Sequence, residues 1–330
     1  MRALVTGGGG FLGSAIVRAL LVRGDTVRVL ARGSYPELTA LGAEVVTADV
    51  RDRPAVVAAV GDVDVVFHTA AKAGGWGDRR EFEVINVGGT ENVIAACVER
   101  GVSRLVHTSS PSVVHAHRDI EGDNESLPYA TRFTADYPRT KALAEQRVLA
   151  AAGPSLRTVA LRPHLIWGPG DRHLLPRLVE RARAGRLRQV GSRDVATDFC
   201  YIDNCVDAHL LAADALATNA MASGRAYFIS DGRPIGVWTM ANRTLAAAGC
   251  GAVGRPVPAW LAYALGGALE VLHATFRIER EPLMTRFAAS QLSHSQWFDI
   301  SAARRDLGYS PMVTIDEGME RLAVWARASL

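Results

Sequence analysis

Cysteine is scarce in this chain: Cys97, Cys200, Cys205 and Cys250 are the only four in 330 residues, and no two form a Cys-x-x-Cys pair. A disulfide framework or a cysteine-rich metal site is therefore not expected, and a reduced, cytoplasmic setting is. Charge of one sign is missing too. Lys and Arg number 37 against 34 Asp and Glu, a dispersed net +3 that gives no basis for a nucleic-acid partner. A strand-like pattern begins at once after Arg2, so no secretory leader is expected. There is no internal repeat, no low-complexity linker and no cluster with metal-ligand spacing; His115-Ala116-His117 reads as an ordinary loop pair. A single apolar run, 259–276 (AWLAYALGGALEVLHATF), approaches the length of a membrane span. Gly266-Gly267 interrupts it and Glu270 and His273 sit inside it, so a pocket-lining helix, or one resting on a lipid interface, is expected instead.

What is present is ordinary for a globular protein: 48% hydrophobic and 22% charged residues. The length suits an α/β domain carrying a smaller second lobe. In the first half, short apolar runs alternate with helical patterns, as βαβ units over a parallel sheet require. Strands are expected at 2–6, 26–31, 44–47, 63–68, 104–108 and 157–162, and helices at 11–23, 35–41, 54–60, 87–100 and 137–151. Strands covered on both faces read as continuous apolar runs rather than alternation. Beyond Pro163 the pattern becomes mostly helical, with helices at 174–184, 240–248 and 315–328 and one strand at 226–230.

Between the first strand and the first helix stands Thr6-Gly7-Gly8-Gly9-Gly10-Phe11-Leu12-Gly13. This GxxGxxG run lies in the strand-to-helix context that dinucleotide binding needs. Gly7 permits the tight turn, Gly10 lets backbone approach a pyrophosphate, and Gly13 lets helix pack on strand. The phosphates then meet free N–H groups and the positive helix end. The fold expected is α/β: a Rossmann-type doubly wound parallel sheet over residues 1–165, with elements returning near 198–230. Residues 166–330 form a smaller, mostly helical substrate-binding lobe. At the end of the second strand, where an NAD-preferring domain places an acid, the chain reads Val29-Leu30-Ala31-Arg32-Gly33-Ser34. Arg32 can instead meet a 2′-phosphate, so NADPH/NADP is the cofactor expected. Asp49 and Val50, ending the third strand, would flank the adenine.

Tyr137-Pro138-Arg139-Thr140-Lys141 places a phenol and an ammonium one helical turn apart on one face. A free tyrosine titrates at about 10. An ammonium held beside it favours the phenolate and is expected to lower that value toward the working range. The Thr108-Ser109-Ser110 run lies upstream.

Taken in order, TGGGGFLG (6–13), ADV (48–50), HTAAK (68–72), NVGGTENVIAAC (86–97), HTSSPSVV (107–114), YPRTK (137–141), LRPHLIWGPGD (161–171), DFCYIDNCVDAH (198–209) and DISAARRDLGYSPMVTIDEG (299–318) resemble the extended short-chain dehydrogenase/reductases over essentially the whole chain. Within that family, AAKAGGWG (70–77), TSSPSVVH (108–115), GRAYFIS (224–230) and LMTRF (283–287) resemble the 3β-hydroxysteroid dehydrogenase-like branch. The resemblance implies roles for particular residues. Tyr137 is the proton donor, and Lys141 is its partner and holds the nicotinamide ribose. Ser110 bonds the reacting oxygen, with Ser109 the adjacent alternative and a cofactor contact. Asn86 starts the long helix, either as a site residue or as a plain N-cap. Thr6, Gly7, Gly10, Phe11, Leu12, Gly13, Ala70, Ala71, Pro163 and Leu165 line the cofactor, and no metal is required.

The activity implied is NADPH-dependent reduction of a 2-alkyl-3-oxoalkanoate to the 2-alkyl-3-hydroxyalkanoate in long-chain olefin biosynthesis. A 3β-hydroxysteroid is the other substrate class, and an NADP-binding redox sensor the non-enzymatic alternative, against which the intact Ser110, Tyr137 and Lys141 argue. Pro111-Ser112, where the family's dehydratases carry an acid pair, argue against elimination, and Ala31-Arg32 against a sugar epimerase with bound NAD. The lipid-like keto acid calls for one cation near the reacting carbon and apolar walls. Arg172, with Lys72 the alternative, is expected to meet its carboxylate, and Trp76, Trp167 and the 259–276 segment to form the walls. A homo-oligomer is expected, as is association with the thiolase-like, β-lactone synthetase and β-lactone decarboxylase enzymes of that pathway.

Overall fold

Seven strands form one parallel sheet: β1 (Arg2–Thr6), β2 (Thr26–Ala31), β3 (Glu44–Thr47), β4 (Val65–His68), β5 (Arg104–Thr108), β6 (Arg157–Pro163) and β7 (Arg225–Ile229), in the order 7-6-5-4-1-2-3. The computed structural model describes every residue except Ala116, Arg172, His173 and Leu330. Alternate side chains of each strand serve opposite faces. Ala3 and Val5 of β1 meet α1 (Phe11–Val22), while Leu4 faces α2 (Arg53–Val60) and α3 (Gly89–Arg100). Both faces being covered explains why the strands read as unbroken apolar runs. The strand order reverses between β1 and β4, where Thr6 stands opposite His68, and a crevice opens at the carboxyl ends of these strands.

Helix α4 (Asp136–Ala150) carries the Tyr-x-x-x-Lys pair and continues the same face to Glu145. There the Glu145 carboxylate takes Arg162 of β6 in a two-pronged pair, Nη2 to Oε1 at 2.6 Å and Nε to Oε2 at 3.0 Å. Tyr129 donates its hydroxyl to the same carboxylate at 2.6 Å. Both charged groups are buried.

Residues 198–230 come back to the sheet. Helix α5 (Ile202–Thr218) packs beside α1, with Arg23 bridging to Asp214 at 3.0 Å, and β7 adds the edge strand. The long helix expected from residue 87 begins earlier. Asp78 caps a short helix at Arg79–Phe82, accepting from Arg80 N at 2.8 Å, and a π-helical turn at Glu83–Gly88 leads into α3. Several short strands escaped the sequence reading, among them Ile120–Asp123, Ala196–Thr197, Ile235–Gly236 and Gln296–Phe298 of one small sheet. Strands of two to four residues show too few alternations to be seen as a period.

The apolar run forms α6 (Ala259–Thr275), followed by α7 (Arg286–Gln291). The buried positions of α6 are Ala262, Gly266 and Glu270, spaced by single turns, while Trp260, Val271 and Phe276 lie largely exposed. Among the described residues, no helix is long and apolar enough to cross a membrane.

Candidate active site

The nucleotide end is built from glycine geometry. Gly7 has φ 72° and donates its N–H to Leu30 O at 2.8 Å. A Cβ on Gly13 would lie 2.3 Å from the Gly7 carbonyl oxygen, so only glycine lets α1 start this close to β1. Gly10 stands at the cap of α1 with no side-chain bond, and no acid lies in the first turn. The free N–H groups of a 12-residue helix therefore face the crevice, and they fit a pyrophosphate. Leu12 is buried beneath the turn, and the Phe11 ring lies toward Gly170. The Ala70 backbone sits against Gly7 with its N–H 3.4 Å from Thr6 Oγ1, and Ala71 is exposed beside it. Arg32 is exposed just beyond β2. Arg51 holds the Asp49 carboxylate from Nε at 3.0 Å and Nη2 at 2.8 Å and draws its pKa down. Val50 packs against Gly89. The ring of Tyr35, which the sequence did not single out, lies over Gly9.

At the chemical end, the Ser110 hydroxyl lies near the Tyr137 phenol and favours its ionised form. Ser110 Oγ also lies 2.9 Å from Ser112 Oγ and accepts from Ser112 N at 3.2 Å. Ser109 differs: its N–H is bound to Leu161 O at 2.6 Å, and its buried hydroxyl has no partner among the described residues. Pro163 ends β6, and Leu165 follows with φ 34°, its carbonyl accepting from Cys200 N.

The expected effect of Lys141 on Tyr137 is corrected by the geometry. The Lys141 ammonium is spent on the Thr108 carbonyl and on His107 Nε2, 3.4 Å away. Burial consequently pushes the Tyr137 phenol up, opposed by Ser110. Burial also pulls Lys141 down to about 8, with Glu145 opposing.

Asn86 is not a helix start. Buried in the π-helical turn, it accepts from Lys72 N at 2.7 Å and donates to Lys72 O and Thr140 Oγ1, both at 3.0 Å. It thus ties the loop after β4 to the middle of the Tyr-x-x-x-Lys turn.

Beneath these groups lies a floor of histidines that sequence reasoning missed. His68 and His107 are register partners on β4 and β5, with ring centroids 5.2 Å apart. Thr90 gives its proton to Asn86 O at 2.6 Å, so the His68 Nε2 contact at 2.9 Å is a donor and Nδ1 accepts from Thr6 Oγ1 at 2.7 Å. Burial lowers both imidazoles, His68 to about 3, and keeps them neutral. The signal was the repeated His-Thr dipeptide closing two strands, at 68–69 and 107–108. Another was that only Lys72 and Lys141 among 37 basic residues are lysines.

A cavity of about 300 Å³ is lined by Trp76, Phe82, Val271 and Arg286 and by Ala135 and Asp136, the two residues before Tyr137 in the chain. Trp76 is thus a wall, its indole N–H bound to Ile278 O at 3.1 Å. Trp167 is not. It is buried edge-on to Tyr201, donating to Asp231 at 3.4 Å, because the small residue Gly318 of the last helix lets that helix close over it. Lys72 is paired with Glu81 behind the Phe82 ring, so its charge is already matched. Arg172 lies outside the described residues.

A sequence model of the 3-beta hydroxysteroid dehydrogenase/isomerase family matches residues 4–253. The chain is 50% identical over 324 residues to the 2-alkyl-3-oxoalkanoate reductase of Stenotrophomonas maltophilia, covering 98% of both. It is 49% identical to the 2-alkyl-3-oxoalkanoate reductase of Shewanella oneidensis, covering 97% of this chain and 85% of that one. Among solved structures, MoeE5 in complex with UDP-glucose and NAD superposes with a TM-score of 0.77 at 24% identity, covering 100% of this chain and 99% of that one. The fold and site define a Rossmann-type oxidoreductase that depends on a nicotinamide dinucleotide. The chain belongs to the 3-beta hydroxysteroid dehydrogenase/isomerase family.

The buried Lys141 yields a test of this electrostatics that is independent of turnover. Between its folded value of about 8 and its ordinary 10.5, the unfolded chain holds the proton and the folded one does not, so stability rises with pH across that window. Wild type should gain on the order of 3 kcal/mol over Lys141→Met between those limits. Urea unfolding of both at several pH values measures the difference, and a flat difference would mean that Lys141 titrates as an exposed lysine does.

Proposed function

We propose that this protein reduces the 3-oxo group of a 2-alkyl-3-oxoalkanoate to a hydroxyl, using NADPH. What carries the reading is that a chain with Ser110, Tyr137 and Lys141 all in place is half identical over nearly its full length to two reductases named for that substrate. Bound NADPH supplies the hydride to C3. Ser110 and Tyr137 donate to the carbonyl oxygen as it gains charge, and Tyr137 gives it the proton. The raised pKa of Tyr137 suits this direction, since the phenol stays protonated at neutral pH and is ready to donate. Lys141 and Asn86 fix the turn that carries the phenol, and on this reading Lys141 exchanges part of its present bonding for the nicotinamide ribose when the cofactor binds.

NADPH rather than NADH is supported by Arg32, exposed where an acid would favour the 2′-hydroxyl. Asp49, already drawn to Arg51, leaves Arg32 free to meet a 2′-phosphate. We further propose that the outer face of α6, with Trp260, Val271 and Phe276, rests on a lipid surface from which an apolar substrate is drawn.

Four measurements test these points. Tyr137→Phe should lower kcat by about 10²- to 10⁴-fold with the NADPH Kd unchanged, and near-native turnover would remove Tyr137 as the acid. In a substrate panel, turnover of 3β-hydroxysteroids without turnover of 2-alkyl-3-oxo acids would reject the substrate class. Arg32→Asp should weaken NADPH far more than NADH, by about 10-fold or more; an unchanged preference would assign the phosphate to another group. Wild type should float with phosphatidylglycerol vesicles and Trp260→Glu should do so less, whereas wild type that stays in the soluble fraction would refute the lipid contact.

A further inference from the structure

The apolar run 259–276 carries two features that an apolar helix has no use for, the pair Gly266-Gly267 and Glu270, and both act on the segment LMTRF. A Cβ on Gly266 would sit 2.7 Å from the Thr285 carbonyl carbon and 2.8 Å from the Arg286 nitrogen, so this glycine admits the start of α7 against α6. One turn on, the buried Glu270 accepts from Arg286 N at 2.7 Å with one oxygen and from Arg286 Nε at 2.7 Å with the other. Thr285 caps α7 by accepting from Ala288 N at 3.0 Å. The backbone of Arg286 and one edge of its guanidinium are thereby fixed.

The other edge is not used. Among the described residues no bond is made by the two terminal nitrogens of Arg286, and the side chain lines the cavity that also borders Ala135 and Asp136, the two residues before Tyr137. The competing cations are engaged: Lys72 by Glu81, and Arg139 by Asp136 and Glu83. Trp76, Phe82, Val271 and Ala274 give the rest of the cavity an apolar wall, and Val271, 68% exposed, marks the side on which it opens.

From this we infer that Arg286, aligned by Glu270, holds the carboxylate of the substrate in the cavity that Ala135 and Asp136 border. The assignment rests on the keto-acid reading above. A planar guanidinium bound through Nε presents its two remaining nitrogens as a fork, the shape a carboxylate accepts with both oxygens. The alkyl groups of the same molecule then leave along the apolar wall and out past Val271. A neutral ketone gains nothing from the fork, so Arg286 is a specificity residue that separates β-keto acids from uncharged ketones of similar shape.

The test follows oxidation of a 2-alkyl-3-hydroxyalkanoate and of its methyl ester with NADP⁺, by wild type, Arg286→Gln and Arg286→Lys. Arg286→Gln should raise KM for the acid by about 10- to 100-fold, with the ester's KM within about twofold of wild type. Arg286→Lys, which keeps the charge but not the fork, should recover part of the loss for the acid alone. Equal losses on acid and ester, with lysine no better than glutamine, would make Arg286 a latch between α6 and α7 and overturn the assignment, leaving the reductase reading standing. Wild type that oxidises neither compound but oxidises a 3β-hydroxysteroid overturns both. Should Arg286→Gln fail to fold because Glu270 loses its partner, Arg286→Lys decides: an acid-selective rise in KM supports the assignment, and an unchanged acid KM rejects it.

Discussion

The buried pair between Glu145 and Arg162 sets the position of everything chemical in this protein. Ionised groups out of water are tolerated only with near-complete hydrogen bonding, and this carboxylate has it, from two guanidinium nitrogens and the Tyr129 hydroxyl. The pair joins helix α4 to strand β6 at one rotation and one height. Because Lys141 and Tyr137 lie one and two turns before Glu145 on the same helix, fixing the glutamate fixes them as well. A slip of α4 by one residue would swing all three side chains by about 100° and separate Tyr137 from Ser110.

A second constraint works from beneath. The floor under the site consists of neutral imidazoles and threonine hydroxyls whose bonds run from Thr6 through His68 and Thr90 to Asn86, and from Asn86 to Thr140 on α4. The same floor meets the Lys141 ammonium through His107 and the Thr108 carbonyl. An ammonium in such surroundings is costly to keep charged, which is why burial draws Lys141 down to about 8. The glycine turn, the loop after β4 and the Tyr-x-x-x-Lys helix are therefore mechanically one object, although they come from three parts of the sequence.

What was legible in the sequence was what short-range chemistry dictates. The glycine turn depends on neighbours within eight residues, and the Tyr137–Lys141 pair on a single helical turn, so both could be placed before any fold was known. The strands buried on both faces announced themselves as apolar runs. Contacts closed by tertiary packing were not legible. Asn86 was read as the start of the long helix, by resemblance or as an N-cap, yet a π-helical turn places it inside a helix that begins earlier. Trp167 looked like a pocket wall, but the approach of Gly318 from the far end of the chain made it core. Nothing local told Lys72 that Glu81 would neutralise it, or assigned a ligand role to the arginine of LMTRF, whose orientation is set by a glutamate on another helix.

The order of the strands has a consequence for how the protein is made. β7, the outermost strand on one side, is encoded more than sixty residues after β6, the strand it pairs with. As the chain leaves the ribosome, the first six strands can assemble, but β6 then presents a row of unsatisfied backbone N–H and C=O groups until residues 225–229 have emerged. An open parallel edge of this kind invites pairing with other nascent chains. The interval of translation between the two strands is thus the period in which this protein most depends on slow handling or on a chaperone.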